Sequence, residues 1–499
     1  MLCTSFASVQ HLKNDNSHTK FWELLENDIS SQQRLKQLGP IECSQISWSF
    51  ATIGRSQSSS SRLFDGIENV VLSKIGVEKF ETLGLSNLVW SFSMLGYGTS
   101  NFFTVIEKQC IDKFDECTAK DKTMLALAYS RRESDDDNKK YPKELFDLIA
   151  SSSLTNLHDF TGLDLFNIVV SFVKVGYINK PLMEAVANEL VRRPLSEFSY
   201  QDRDVVNACV GLSWAYSTVG CRSPRLLDYI ATVCIDKLDT LDTKEIGSLA
   251  WSFASLECYH RPFFRALARA SEHRWDEFDE SSLAKMAWAL STKSLNIPDS
   301  DDNDDDSHIV EKMYMSEIIK AAIAKCDTFT VQAISMLLWS CSARGYLHPR
   351  LFETFIPRAS ELLLDARGEL DDIHISNIQS LANIAWACAV QDIVDADTLF
   401  GDAFISIITW HIEEFDDEGL CQLHQWNTWR KTNGHSATLP QDIEERCYDT
   451  FINRGVRSSN LQKDVISELS SMGLQLEEEA LTSSGYRLDV LVTIDDTSK

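Results

Sequence analysis

Residues 246–290, IGSLAWSFASLECYHRPFFRALARASEHRWDEFDESSLAKMAWAL, contain one sequence pattern twice. An apolar segment centred on Trp251 is followed by a turn, a proline and a second apolar segment. The pattern then begins again around Trp288, 37 residues further on. Self-similarity with a period near 40 residues is typical of helical-repeat proteins. This stretch therefore sets the register for the rest of the chain.

The same pattern extends over most of the 499 residues. We call the residue aligned with Trp251 the anchor of its unit, and we number the other positions from it. Nine units are visible, and the spacings of 51 and 43 residues between anchors contain the acidic insertions DSDDNDDD and SDDDN. The anchors are Trp48, Trp90, Leu127, Val170, Trp214, Trp251, Trp288, Trp339 and Trp386.

Positions −5, −2 and +2 are apolar in almost every unit, and Lys122 is the exception at −5. These positions share one face of a helix, so each unit is predicted to contain an amphipathic helix around its anchor. Position +1 is always Ser or Ala, which predicts another helix crossing closely at that point. The anchors lie off this face, and their fixed phase predicts that they pack in the core rather than bind a ligand.

The ends of the helices also have sequence signals. Glycine at +6 predicts a left-handed helix end, and it occurs at Gly54, Gly96, Gly176, Gly220 and Gly345. Proline at +10 or +11 predicts the first turn of a second helix, and it occurs at Pro181, Pro224, Pro262, Pro298 and Pro349. The sequence therefore predicts an all-α fold, a right-handed α-solenoid of about nine helix-turn-helix repeats of 37–50 residues.

The pattern changes at both ends of the chain. Near the C-terminus, Leu461 to Met472 are spaced as a short amphipathic helix, and residues 486–494 alternate as a β-strand. The predicted organisation is a disordered or weak targeting segment at 1–20, the solenoid at 21–435 with acidic loops at 133–140 and 298–308, a linker or cap helix at 436–458, and a short α+β fragment at 459–499.

Composition narrows the possible functions. A net charge of −27 argues against binding nucleic acid by bulk attraction. The 13 cysteines form no CxxC pair and are predicted to be small core residues, as at Cys209, Cys341 and Cys388. We expect no membrane span, metal or cofactor, and we find no nucleotide-binding, metalloprotease or hydrolase motif.

Two features together resemble a known family. The repeats, with LVWSFSMLG at 88–96 and LAWSFASLECYHRP at 249–262, resemble the FAST-kinase-like and octotricopeptide-type repeats of organellar RNA-metabolism proteins. Residues 461–492 resemble the opening of the RAP domain that closes those proteins, chiefly through Gly473 and the run from Gly485 to Asp489. The resemblance implies binding to single-stranded mRNA or rRNA in a mitochondrion or chloroplast, with ribonucleoprotein or ribosome-assembly proteins as further partners.

The resemblance to the RAP domain is incomplete. Asp489 matches an acidic position of that domain, but the following strand with its further acidic residues is not in this sequence. A metal-dependent nuclease needs several carboxylates around its ion. The domain is therefore either truncated in this sequence or vestigial, and the residues present predict no metal site and no catalysis; a nuclease would require further carboxylates from a continuation of the domain beyond Lys499.

Two sets of residues are candidates for RNA contacts. Arg261, Arg265 and Arg269 recur every four residues, with Arg274 beyond them, and can form a row that contacts phosphates or a solvated face paired with acids. Position −3 carries varied hydrogen-bonding residues that can read bases or lie at a helix crossing. Its candidates are Gln45, Asn87, Asn167, Lys285 and Asn383.

The sequence thus predicts a non-catalytic RNA-binding protein that acts in organellar RNA processing, mRNA stability, translation or rRNA maturation. The alternative from another class is an acidic α-solenoid that serves as a protein-protein interaction scaffold. The sequence does not indicate an oligomeric state.

Overall fold

The structure is a computed structural model that describes residues 16–53, 61–132, 141–193, 202–258, 260–292, 305–365, 375–393, 396–435, 437–453 and 460–493. The described chain is all-α apart from one small antiparallel sheet near the C-terminus. The predicted acidic loop at 133–140 and most of the loop at 298–308 lie outside the described residues.

Paired helices make up almost all of the described chain. They are α1 (Asn16–Ile29), α2 (Gln32–Leu35), α3 (Pro40–Ile53), α4 (Ser61–Val70), α5 (Thr82–Leu95), α6 (Ser100–Asp112), α7 (Ala119–Ser130), α8 (Lys143–Thr155), α9 (Gly162–Lys174), α10 (Lys180–Arg192), α11 (Asp202–Thr218), α12 (Pro224–Cys234), α13 (Thr243–Ser255), α14 (Arg261–Ser271), α15 (Glu280–Ser291), α16 (Asp305–Ala324), α17 (Val331–Ala343), α18 (Pro349–Asp365), α19 (Ile375–Val390), α20 (Asp402–Trp410), α21 (Asp417–Thr432), α22 (Gln441–Asn453) and α23 (Asn460–Ser471).

The helices divide into two compact units, the first formed by residues 1–239 with 255–263, and the second by 240–254 with 264–499. In the first unit, each of α3, α5, α7 and α9 packs against the next odd-numbered helix, and α6, α8 and α10 each pack against the next even-numbered helix. In the second unit, α15, α17, α19 and α21 pack in sequence, as do α16 and α18. Within each unit, this sequential packing in two layers is that of an α-solenoid.

Every predicted anchor lies on an odd-numbered helix, which is the first helix of its pair. The residues at +2 are all buried, and those at −5 are buried in every unit but one. In the first compact unit, the +2 aromatic rings contact the second helices. Phe92 stacks on Phe102 with ring centroids 4.3 Å apart, and the Tyr129 hydroxyl donates a hydrogen bond to the Phe103 carbonyl at 2.9 Å. The predicted amphipathic first helix is confirmed.

The exception at −5 has a local explanation. The Lys122 amine donates a hydrogen bond to Ser152 Oγ at 2.8 Å and lies 5.0 Å from the centre of the Phe114 ring. A lysine can therefore occupy this position because its stem packs inward while its charge has both a polar and an aromatic partner.

The small residues at +1 are all buried, as the predicted close crossing requires. Where +1 is Ser, its hydroxyl can donate to the carbonyl four residues earlier, as Ser91 does to Asn87 and Ser252 does to Ser248. Neighbouring first helices are also joined directly, because Ser93 Oγ donates to the Ala128 carbonyl at 2.7 Å. Any larger side chain at +1 would separate these helices.

The predicted helix ends are also found. Gly96, Gly176, Gly220 and Gly345 have φ between 61° and 73°, the left-handed conformation that ends the first helix. Pro181, Pro224, Pro262 and Pro349 lie within the first two residues of second helices. Gly54 and Pro298 lie outside the described residues.

Successive pairs are tied together by cations just after the second helices. Lys113 Nζ donates to the carbonyls of Glu78 and Phe80 in the preceding pair, at 3.1 and 2.8 Å. Arg193 donates to the carbonyls of Phe160 and Leu157, at 2.5 and 2.9 Å. We call these contacts clamps. They supply hydrogen-bond donors to carbonyls in the turns that lead into the first helices.

The C-terminal region consists of α23, β1 (Gln475–Leu481) and β2 (Arg487–Thr493), with the two strands antiparallel. Gly473 ends α23 with a φ of 79°, and the predicted helix and strand are both confirmed. The turn of this hairpin contacts the last helix pair, since His424 Nε2 bonds to the Ser484 carbonyl at 2.9 Å. The Asp489 side chain is exposed on β2.

The clamps predict a measurable stability difference between two adjacent arginines. Arg193→Met removes the donors to two carbonyls and to Glu189. We therefore expect the free energy of unfolding to fall by about 1–3 kcal/mol and the thermal unfolding midpoint, measured by circular dichroism, to fall with it. Arg192→Met is the matched control, because the Arg192 side chain is 81% exposed and lies 3.9 Å from Glu189. Equal midpoints for the two variants would show that the clamp is not stabilising.

Candidate nucleic-acid interface

The anchor side chains lie at the edge of the core. All nine are half-buried, so the prediction that they pack in the core is only partly right: each is partly covered by neighbouring residues and partly reaches the surface. Position 0 lies about 160° around the helix from +2, at roughly 100° per residue. Because +2 faces the second helices, the anchor faces away from them.

Three further positions share this outward face. Positions −7, −3 and +4 lie about 140° to 180° around the helix from +2, so with the anchor they form one row along each first helix. We call these rows together the stripe. From the first unit to the ninth, the rows are Ile41, Gln45, Trp48, Thr52; Leu83, Asn87, Trp90, Met94; Lys120, Met124, Leu127, Arg131; Leu163, Asn167, Val170, Lys174; Asn207, Gly211, Trp214, Thr218; Lys244, Ser248, Trp251, Ser255; Ser281, Lys285, Trp288, Thr292; Gln332, Met336, Trp339, Ala343; and Gln379, Asn383, Trp386, Val390.

The stripe contains no Asp or Glu in any of the nine units. Acidic residues supply 74 of the 499 residues, so their complete absence from these positions does not follow from composition. Cations are present at Lys285 and at Lys244, whose amine pairs with the Asp279 carboxylate at 3.4 Å. Although the chain has a net charge of −27, a polyanion that lies along any one row of the stripe meets no negatively charged side chain of that row.

The polar residues at −3 are available to a ligand. The side chains of Gln45, Asn87, Asn167, Lys285 and Asn383 are half-buried, and none of them forms a hydrogen bond or ion pair with the described part of the chain. Asn427, which is buried, shows the contrast, because its Oδ1 accepts a hydrogen bond from the Leu439 amide at 2.9 Å. Half-buried amides without partners usually have water or a ligand as partner.

In the second compact unit, two neighbouring anchors contact each other. The rings of Trp339 and Trp386 have centroids 6.1 Å apart and planes 32° from parallel. Two planar rings with a base between them would be separated by about twice the 3.5–4.0 Å contact distance. A base can therefore stack on the outer side of this pair but cannot enter between the rings without moving them.

The predicted arginine row is divided by the structure. Arg265 and Arg269 are exposed on α14, the second helix of its pair, and neither has a hydrogen bond or ion pair in the described ranges. Arg261 is half-buried and has interaction partners of its own. The row therefore lies on a second helix, whereas the −3 candidates all lie on first helices.

Arg274 belongs to a clamp. Its guanidinium donates to the Leu241 carbonyl at 3.1 Å and pairs with Glu277 at 3.0 Å. These contacts correspond to those of Lys113 and Arg193 and give Arg274 a structural role, which the sequence interpretation as an RNA contact did not anticipate.

The cysteines on the inner side of the first helices are packing residues, as predicted. Cys209, Cys341 and Cys388 are buried, and burial raises the pKa of the Cys341 thiol to about 12. That thiol is therefore protonated at neutral pH and is a poor nucleophile or metal ligand.

No group of His, Cys, Asp and Glu within the described ranges is arranged to hold a metal ion. Across the same ranges, the helices are either too short or too polar to cross a bilayer. Comparison with known proteins adds no assignment: no protein-family model matches the chain, and no curated protein is significantly similar to it.

Sequence reasoning found the −3 residues but missed the stripe as a whole. The signal that could have found it is the absence of acidic residues at −7, −3, 0 and +4 throughout an acidic chain. Tryptophan is large, apolar and fixed in phase, and these properties favoured a core position for the anchors although they fit a half-exposed one equally well.

Proposed function

We propose that the protein binds single-stranded RNA along the stripe, without catalysis. The observation that carries the proposal is the combination, on the outward face of the first helices within each compact unit, of half-exposed aromatic anchors with amides that have no partner among the described residues and with no acidic residue. Single-stranded nucleic acid is bound by aromatic rings that stack on bases, together with cations along the backbone. Double-stranded RNA hides its base faces, so an aromatic surface favours single strands.

The amides support a role in base recognition as well as binding. Asn and Gln each carry a donor pair and an acceptor, and an unstacked base presents both kinds of group at its edges. The identity of −3 changes from unit to unit, from Gln45 to Asn87, Ser248 and Lys285. Different units can therefore favour different bases.

The proposal extends to the cellular role. From the resemblance to organellar RNA-metabolism proteins, we place the protein in a mitochondrion or chloroplast, acting in RNA processing, mRNA stability, translation or rRNA maturation. Ribonucleoprotein or ribosome-assembly proteins are proposed as further partners on the same ground.

The aromatic anchors give the first test of RNA binding. Trp90→Leu and Trp214→Leu each remove one stacking surface, and we expect each to weaken binding of a random-sequence 30-nucleotide RNA about 5- to 150-fold in fluorescence anisotropy. Leucine is already the anchor at Leu127, so the helix accommodates it.

Trp410→Leu is the control, because this side chain is 75% exposed on α20, a second helix. We expect wild-type affinity from that variant. Equal weakening by all three changes would mean that RNA uses no particular face, and failure of the wild-type protein to bind at low salt would favour the protein scaffold instead.

The localisation has its own test. The full-length protein carrying a C-terminal fluorescent tag is expected to coincide with a mitochondrial or chloroplast marker in cells of its source organism. Uniform cytosolic or nuclear fluorescence would contradict the organellar proposal and would leave RNA binding to be judged on its own measurement.

A further inference from the structure

Two consecutive repeats in the first compact unit differ from the other repeats of the stripe. Their anchors are Leu127 on α7 and Val170 on α9, whereas Trp90 and Trp214 precede and follow them. An aliphatic side chain offers no π-face for a base. A strand of RNA that follows the stripe would lose its stacking partners over these two helices.

Cations are concentrated in the same two rows. Lys120 and Arg131 occupy −7 and +4 of the first row, and Lys174 occupies +4 of the second. All three side chains are exposed. Lys120 and Lys174 have no hydrogen bond or ion pair with any described residue, so both amines are available to an anion.

Two of these cations, Arg131 and Lys174, are near one another, and Arg131 also contacts the neighbouring row. Arg131 contacts the Met94 sulfur, which is the +4 residue of the Trp90 row. Because α7 packs directly against α9, and packed helices lie about 8–10 Å apart, Arg131 and Lys174 occupy equivalent positions at roughly that separation. Lys120 lies about 16 Å along α7 from Arg131, at 1.5 Å per residue.

Asp121, next to Lys120, and Asp164 are engaged at helix ends, whereas the acidic loop at 133–140, which follows Arg131 and Arg132, lies outside the described residues. The Asp121 carboxylate is buried and accepts hydrogen bonds from the Thr118 amide at 3.0 Å and from Ser86 at 2.8 Å. The Asp164 carboxylate accepts from the Thr161 amide at 3.0 Å. Both charges are held at helix N-termini, where the helix dipole offsets them.

We propose that the Leu127 and Val170 rows form a phosphate-binding segment, in which Lys120, Arg131 and Lys174 hold the backbone of the RNA between the tryptophans that stack on its bases. This inference rests on the proposed function and adds a division of labour within the stripe. Recognition of phosphate is independent of sequence, so base preference is confined to the units with aromatic anchors.

The test compares two triple variants with the same change in net charge. Lys120→Gln/Arg131→Gln/Lys174→Gln removes the segment's cations. The control, Lys143→Gln/Arg192→Gln/Arg225→Gln, removes three exposed cations from α8, α10 and α12, which are second helices of the same compact unit. Circular dichroism and the thermal midpoint establish that both variants fold.

The measurement is the affinity for a 30-nucleotide RNA over a salt series. Each phosphate contact on a single strand contributes about 0.7 to the slope of log K against log salt, so the first variant is expected to have a slope shallower by about 2. The control is expected to keep nearly the wild-type slope. With a peptide nucleic acid of the same base sequence, whose backbone is neutral, the wild-type protein and the first variant are expected to bind equally.

The failures of the two proposals are distinguishable. If the wild-type protein does not bind RNA at low salt, the proposed function itself is wrong. If it binds but both triple variants have the same slope, RNA binding stands and the phosphate-binding segment is wrong. A difference between wild type and first variant that persists with the neutral backbone would also overturn it, because the three cations would then act on bases.

Discussion

The close approach of neighbouring first helices is the constraint on which the rest of the structure depends. A Ser or Ala at +1 lets these helices pack almost backbone to backbone, and the hydroxyl of Ser91 or Ser252 is satisfied within its own helix. Neighbouring first helices cover the two sides of each first helix, and second helices cover its +2 face. Only the face opposite +2 remains open. The stripe is thus a consequence of the packing: most of its side chains reach the surface, while Met124 is buried and a side chain at Gly211 would meet the Phe166 ring.

This separation explains how so acidic a protein can present a surface for a polyanion. The net charge of −27 excludes attraction of a polyanion by the molecule as a whole. Binding must then come from short-range contacts at the stripe, where stacking on Trp90 or Trp214 and the amide of Asn87 do not depend on net charge. The acidic residues elsewhere on the protein also disfavour the binding of polyanions that cannot make those contacts.

Much of the fold could be predicted from the sequence, because the repeat period, Gly96 and Pro224 are local signals. The half-burial of the anchors could not be predicted, since helical phase identifies a face without saying what covers it. The clamp role of Arg274 was also hidden, because its partner is the backbone carbonyl of Leu241, 33 residues away, and a carbonyl leaves no sequence signature. The −3 residues were identified from their variation alone, and the structure adds that these five candidate side chains have no hydrogen-bonding partner among the described residues.

Ultraviolet cross-linking of the full-length protein to single-stranded RNA, followed by mass spectrometry of the cross-linked peptides, tests the central claim most directly. We expect cross-links to concentrate on the first helices, at stripe residues such as Trp90, Trp214 and Lys285. Cross-links concentrated instead at Arg265 and Arg269 on α14, or at Trp410 on α20, would contradict it.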